Sequence, residues 1–258
     1  MRLHFKTYGS GEPLIILHGL FGSLNNWQTM AGRLGGKFQV ITVDQRNHGH
    51  TAHSAEMDYG LMSDDLLEFL DEHQIESAFL LGHSMGGKTA MQFALSHASR
   101  VRSLIVVDIA PRAYKETHDP ILDALLALRL ESFSNREEVD AALAGNIGDP
   151  SVRAFLLTNL RRDETGRFQW KLNLRALKEH YSDLVGGVRT DRVYAGPALF
   201  IVGGRSHYVT AADEPLIHKL FPNSIKVSFE LAGHWVHVEA SDETYNAIVN
   251  FLVKERHD

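Results

Sequence analysis

The sequence predicts an α/β fold, with a mostly parallel central sheet flanked by helices and one helical insertion. Three observations predict it. Six short apolar runs each end in Gly, Asp or His. Amphipathic helical stretches lie between them. The alternation then lapses for one long segment, from about Pro111 to Asp191.

Taken in order, the runs are "PLIILHG", "FQVITVD", "AFLLGHS", "SLIVVDIAP", "PALFIVGG" and "IKVSFELAGH". Runs this rich in Val, Ile, Leu and Phe suit strands buried on both faces, as in a parallel sheet. "SLNNWQTMAGRL" follows the first run with a helical pattern. "YGLMSDDLLEFLDEHQ" places Leu61, Leu66, Leu67, Phe69 and Leu70 at helical spacing. "SMGGKTAMQFALSHA" follows the third run, and "SDETYNAIVNFLVKER" is the closing helix. Between Pro111 and Asp191 the periodicity is helical without strand runs, and Asn135 and Asp149 are N-cap candidates. The expected division is a core of residues 1–110 and 191–258 with a cap of residues 111–190 over the carboxyl ends of the sheet. Ligands bind at that edge in open α/β sheets.

Bulk properties narrow the class. The 258 residues suit one large domain or one domain with an insertion. A net charge of −6 gives no pull toward nucleic acid. The absence of cysteine removes disulfides, thiolate catalysis and Cys-based zinc sites, and fits a reducing compartment. The first residues have no basic-then-apolar signal pattern, and no apolar run is long enough to cross a membrane, so a cytoplasmic protein is expected.

"AFLLGHSMGGKTA" reads strand, Gly82-His83-Ser84-Met85-Gly86, then helix. That context makes Ser84 the nucleophile candidate on a sharp strand-to-helix turn. The bland reading is a glycine-rich turn without chemistry. Serine needs a base. His234, in "ELAGHWVHVEA", directly follows the glycine that ends the last run, and a C-terminal histidine after the serine fits this topology. His237 is the rival, with packing or a bond near Glu239 as its structural alternative. An oxyanion needs two backbone donors. The N–H groups of Met85 and of Leu20, in "LHGLFGSLNNW", are the candidates, with both side chains expected to line an acyl pocket.

Together "HGLFGSLNNW", "VDQRNHG", "GHSMGGK", "VVDIAP", "GGRSHYV" and "AGHWVHVE" resemble the α/β-hydrolase superfamily, and more narrowly its YbfF-type carboxylesterases. "GRFQWKLNL" resembles the cap of that group. The resemblance covers nearly the whole chain. Many members place the acid after the strand that "ALFIV" forms, but here no carboxylate lies between Asp191 and Asp213. The YbfF-type group implies an acid one strand earlier, at Asp108. Its position at the end of "LIVV" agrees, because an unpaired carboxylate there is costly. Asp213 is the fallback, with helix capping as its ordinary role. Ser206 then supports the acid or the histidine by a hydrogen bond.

The resemblance implies a serine hydrolase of carboxylic esters, with thioesters open to the same chemistry and no cofactor or metal required. The partner is a small-molecule ester or thioester, and the chain is a monomer or small homo-oligomer. Carbon–carbon bond hydrolysis or perhydrolysis uses the same triad, and a ligand-binding module is the non-enzymatic alternative. His48, His50 and His53 lie close together, but without paired carboxylates they read as structural, with Asp44, Arg46 and Asn47 knitting their turn. Arg161, Arg162, Arg167, Lys171 and Arg175 make the cap basic, either as a solvated face or to steer an anionic acyl carrier such as coenzyme A. Trp170 is either core or cleft lining.

Overall fold

The computed structural model describes residues 1–254. The last two residues of the predicted closing helix, Glu255 and Arg256, lie outside the described residues. Seven strands form the main sheet: β1 (His4–Tyr8), β2 (Pro13–Leu17), β3 (Gln39–Asp44), β4 (Ala78–His83), β5 (Val101–Val107), β8 (Ala198–Gly203) and β9 (Ser224–Phe229). Between β5 and β8 a small hairpin supplies β6 (Leu160–Arg162) and β7 (Phe168–Trp170). The strand order is β1-β3-β2-β4-β5-β8-β9, and every pairing is parallel except β1 with β3.

The apolar runs are continuous because both sheet faces are covered. Alternate residues serve different cores. Leu14 and Ile16 of β2, Phe79 and Leu81 of β4, and Ile105 and Val107 of β5 pack with α1 (Gln28–Leu34) and α11 (Ser241–Lys254). Ile15 and Leu17, Leu80, Leu104 and Val106 pack on the other face, against α2 (Tyr59–Glu72), α3 (Met85–Ser96) and α9 (Glu214–Leu220). All six predicted strands are present. β1 is an addition to them: its "HFKTY" is mostly exposed at the sheet edge and has no apolar run to announce it.

The segment between β5 and β8 carries α4 (Asp119–Ala127), α5 (Arg136–Leu143), α6 (Pro150–Leu157), α7 (Leu174–Glu179) and α8 (Tyr181–Val185). Asn135 and Asp149 cap α5 and α6, accepting from the N–H groups of Glu138 and Ser151. The expectation of no strands here is corrected by the hairpin of β6 and β7. Each has three residues, too few to show alternation, and "LRR" is not apolar. Their turn is closed by the Asp163 carboxylate, which accepts from the N–H groups of Thr165 and Arg167, and by Gly166 at φ +83°. The helices bury Leu122, Leu125, Val139, Leu143, Leu156 and Leu177 in a third apolar cluster with Phe21 and Met85 of the sheet layer. The last short helix, α10 (Val236–Glu239), leads from β9 toward α11.

Candidate active site

Ser84 sits between β4 and α3 with φ 52° and ψ −119°, a strained conformation for a residue with a Cβ. Flanking glycines make the turn possible. A Cβ on Gly82 would lie 2.1 Å from the Gly86 carbonyl oxygen, and one on Gly86 would lie 2.4 Å from that of Leu17. The elbow therefore presses directly on the end of β2, from which the Gly19–Gly22 loop departs. The Ser84 N–H donates to the Val107 carbonyl at 3.1 Å and ties the turn to the end of β5.

Asp108 follows β5 immediately and is fully buried, with φ 51°. Its Oδ1 accepts from the Gly203 N–H at 3.0 Å. Its Oδ2 accepts from the Ser206 hydroxyl and from His234 Nδ1 at 2.7 Å. The parallel pairing of β5 with β8 brings these groups together, because it places the end of one strand beside the loop after the other. The Asp108 bond fixes His234 with its proton on Nδ1 and leaves Nε2 as a base. Tyr208 stacks on the imidazole at 4.0 Å, and His83 Nε2–H donates to the His234 carbonyl at 2.9 Å. Ser84 and His234 line one cleft of about 680 Å³.

The rivals have other partners. Asp213 pairs with Arg112 at 2.6 Å and accepts from the Thr210 N–H and hydroxyl at the start of its helix. His237 lies flat on Trp27 at 4.1 Å, and burial pushes its pKa down to about 3. Glu239 accepts from the Gly233 N–H rather than from His237.

Among the described residues, neither the Leu20 nor the Met85 N–H has a protein acceptor. The Leu20 side chain lines the cleft as expected. Met85 is a correction: it is buried in the third cluster, to which Phe21 also belongs, and is not part of the cleft wall.

The loop that carries Leu20 is held by residues the sequence reading did not assign to it. Gln45 N–H donates to His18 Nε2 at 3.0 Å, so His18 carries its proton on Nδ1 and donates to the Gly19 carbonyl at 2.8 Å. His48 donates from Nδ1 to the Arg46 carbonyl, and its Nε2 accepts from the Phe21 N–H at 3.3 Å. Burial lowers the pKa of both, that of His48 to about 3, so both are neutral at pH 7. Asn159 donates to the Phe21 carbonyl at 2.7 Å and joins the loop to the segment after α6. The positive φ of Phe21, 60°, needs these restraints.

His48, His50 and His53 do not converge. His53 reaches the Lys171 carbonyl and His50 packs against His4, and among the described residues no group of three acidic or histidine side chains forms a metal cage. The turn is knitted as expected. Asp44 accepts from the N–H groups of Leu24 and His50, and Arg46 forks onto Asp65. Asn47 bonds Ser54 and Asn173. The basic residues of the insertion lie away from the cleft wall. Arg162 lies over Phe168, Arg167 pairs with Asp163, and Lys171 bonds the Thr158 carbonyl. Trp170 packs at the margin of the third cluster.

A mostly parallel sheet with a serine on a glycine elbow defines an α/β hydrolase. The chain belongs to the alpha/beta hydrolase fold family, whose pattern matches residues 12–241. It is 34% identical over 94% of its length to a protein named Esterase YbfF in Escherichia coli, covering 94% of that protein. It is 40% identical over 94% of its length to a protein named sn-1-specific diacylglycerol lipase ABHD11 in Xenopus tropicalis, covering 78% of it. A solved structure titled "Marine microorganism esterase" superposes with a TM-score of 0.94 at 40% identity, over 96% of this chain and 98% of that one.

Proposed function

We propose that the protein is a serine carboxylesterase that hydrolyses small or acyl carboxylic esters through an acyl-enzyme. The observation that carries this reading is the chain of bonds Ser206–Asp108–His234 opening into the cleft that Ser84 also lines. In this reading Ser84 Oγ attacks the ester carbonyl while His234 Nε2 takes its proton. Asp108 accepts from Nδ1–H throughout and stabilises the imidazolium. The oxyanion is held by the N–H groups of Leu20 and Met85, one from each side of the elbow contact. The imidazolium then protonates the departing alcohol. Water then attacks the acyl carbon as His234 Nε2 takes its proton, and the imidazolium returns that proton to Ser84 Oγ as the C–Oγ bond breaks and the acid leaves. Thioesters follow the same path. Residues 1–110 and 191–258 form the catalytic core and 111–190 the cap, a division supported by His118, Ile121, Val152, Phe155 and Leu156, which wall the cleft from the inserted segment. The lack of cysteine supports a cytoplasmic setting.

The test is a panel of p-nitrophenyl esters and acyl-CoA thioesters of graded chain length, with Ser84→Ala beside the wild type. Turnover that falls at least about 10⁴-fold in Ser84→Ala, together with stoichiometric labelling of Ser84 by a fluorophosphonate, is the expected result. Activity that survives Ser84→Ala, or a serine that the probe leaves unmodified, refutes the reading.

A further inference from the structure

His118, just before α4, lines the cleft beside Ser84 and His234 and has no part in the mechanism above. Its protonation pattern follows from its neighbour Tyr181. The Tyr181 hydroxyl oxygen accepts from the Thr117 N–H at 3.1 Å and the His118 N–H at 2.8 Å. Those two donors fill its lone pairs, and the Thr117 side chain is a further partner, so a proton on His118 Nδ1, 2.9 Å away, would find no free lone pair. Nδ1 is thus an acceptor, and a neutral His118 carries its hydrogen on Nε2. Burial foremost, and His234 second, hold the pKa of His118 below the ordinary histidine value, so the ring is neutral at pH 7. The Nε2–H has no acceptor among the described residues. The ring packs edge-on against Phe21, next to Leu20 of the oxyanion loop, at a centroid distance of 6.1 Å. The inserted segment's wall around it is mainly apolar, with Ile121, Val152, Phe155 and Leu156 facing Phe21, and Asp149 and Ser151 its other polar residues.

A fixed, uncharged donor in a mainly apolar wall recognises one acceptor atom. We propose that His118 is a specificity-determining residue whose Nε2–H bonds an oxygen of the substrate other than the scissile carbonyl. The substrate class is then esters with a second ether, hydroxyl or carbonyl oxygen a few bonds from the reacting carbon. This inference rests on the esterase reading. It differs from a packing role because a donor discriminates between an oxygen and a methylene, while packing does not.

The experiment compares isosteric ester pairs that differ by one oxygen for one CH₂. Ethyl 3-ethoxypropanoate against ethyl hexanoate probes the acyl side, and 2-ethoxyethyl butyrate against pentyl butyrate probes the alcohol side. The readout is the ratio of kcat/KM within each pair, corrected for the alkaline hydrolysis rates. Because it is a ratio, it is independent of how much of a variant is folded. The expected result is a wild-type preference for the oxygenated member of at least one pair. That preference falls about tenfold in His118→Phe, the size of one neutral hydrogen bond, and recovers in His118→Gln, which keeps an N–H donor. Ratios that show no wild-type preference, or that His118→Phe leaves unaltered, overturn the proposal while the esterase reading stands. A wild type that hydrolyses none of the four esters and resists the fluorophosphonate overturns both.

Discussion

Asp108 holds three donors on two oxygens in full burial, which makes it the most constrained side chain of the candidate site. Asp108→Asn retains the volume but presents an amide that cannot accept Nδ1–H on every face, so His234 is driven toward the wrong tautomer. We expect kcat/KM for a p-nitrophenyl ester to fall about 10³- to 10⁴-fold. Ser206→Ala removes one donor to the same carboxylate and leaves His234 and Gly203 in place, so the loss is smaller, about tenfold. Asp213→Asn is expected to keep kcat/KM near wild type and to cost about 1–2 kcal/mol in urea unfolding, through the Arg112 pair and the helix cap. An Asp213→Asn enzyme as impaired as Asp108→Asn would reverse the assignment. In "GGRSHYV", where no carboxylate stands, Ser206 bonds Asp108 from the neighbouring strand end.

At the scale of elements, the elbow is a three-way contact between β4, α3 and the end of β2. Gly86→Ala puts a Cβ at 2.4 Å from the Leu17 and 2.5 Å from the His18 carbonyl oxygen, both backbone atoms that cannot swing away. The helix and the Gly19–Gly22 loop must then part. We expect a lower melting temperature and a loss of activity of at least about 100-fold. Gly145→Ala, beyond the end of α5, meets nothing within 4 Å and is expected to leave activity intact and stability unchanged or raised by up to about 1 kcal/mol. Equal behaviour of the two variants would count against the close-contact explanation. The elbow was legible in the sequence because its steric demand selects glycine at defined offsets. Asp108 was legible through the family resemblance, with which the need to partner a carboxylate at the end of an apolar run agreed. The hairpin of β6 and β7 was not, because three residues carry no period. The clamp of His18, His48 and Asn159 on the Gly19–Phe21 loop was not, because it joins residues up to 138 positions apart. Nor was the donor of His118, whose tautomer is set by a tyrosine 63 residues away.

Across the whole molecule, the fold buries neutral histidines, with His83, His118 and His237 in the cleft wall, and this gives its stability a sign with pH. Burial depresses the pKa of His18, His48, His83, His118 and His237, to about 3 for His48 and His237. In the unfolded chain each returns to about 6.5. Between those values the unfolded state binds the proton and the folded state does not, so stability is lost as pH falls below about 6.5. By pH 5 a fully depressed histidine costs about 2 kcal/mol. Several together approach the whole stability of a domain, about 5–15 kcal/mol. Most carboxylates still hold their charge in that window and add little to the slope. Lys88 extends the trend upward. It lies buried on α3, donating to the Val185 and Gly186 carbonyls, and burial lowers its pKa to about 7. From pH 7 to about 10 the unfolded chain holds that proton more tightly, so stability rises further with pH. The expectation is an unfolding free energy in urea that climbs steadily from pH 5 through 6 and 7.5 to 9. His237→Phe is expected to flatten the acid limb and Lys88→Met the alkaline one. A wild type equally stable at pH 5 and pH 7.5 would mean that these histidines are solvated or charged in the folded protein. The neutral clamp on the Gly19–Phe21 loop would fall with them, because a protonated His48 cannot accept from the Phe21 N–H.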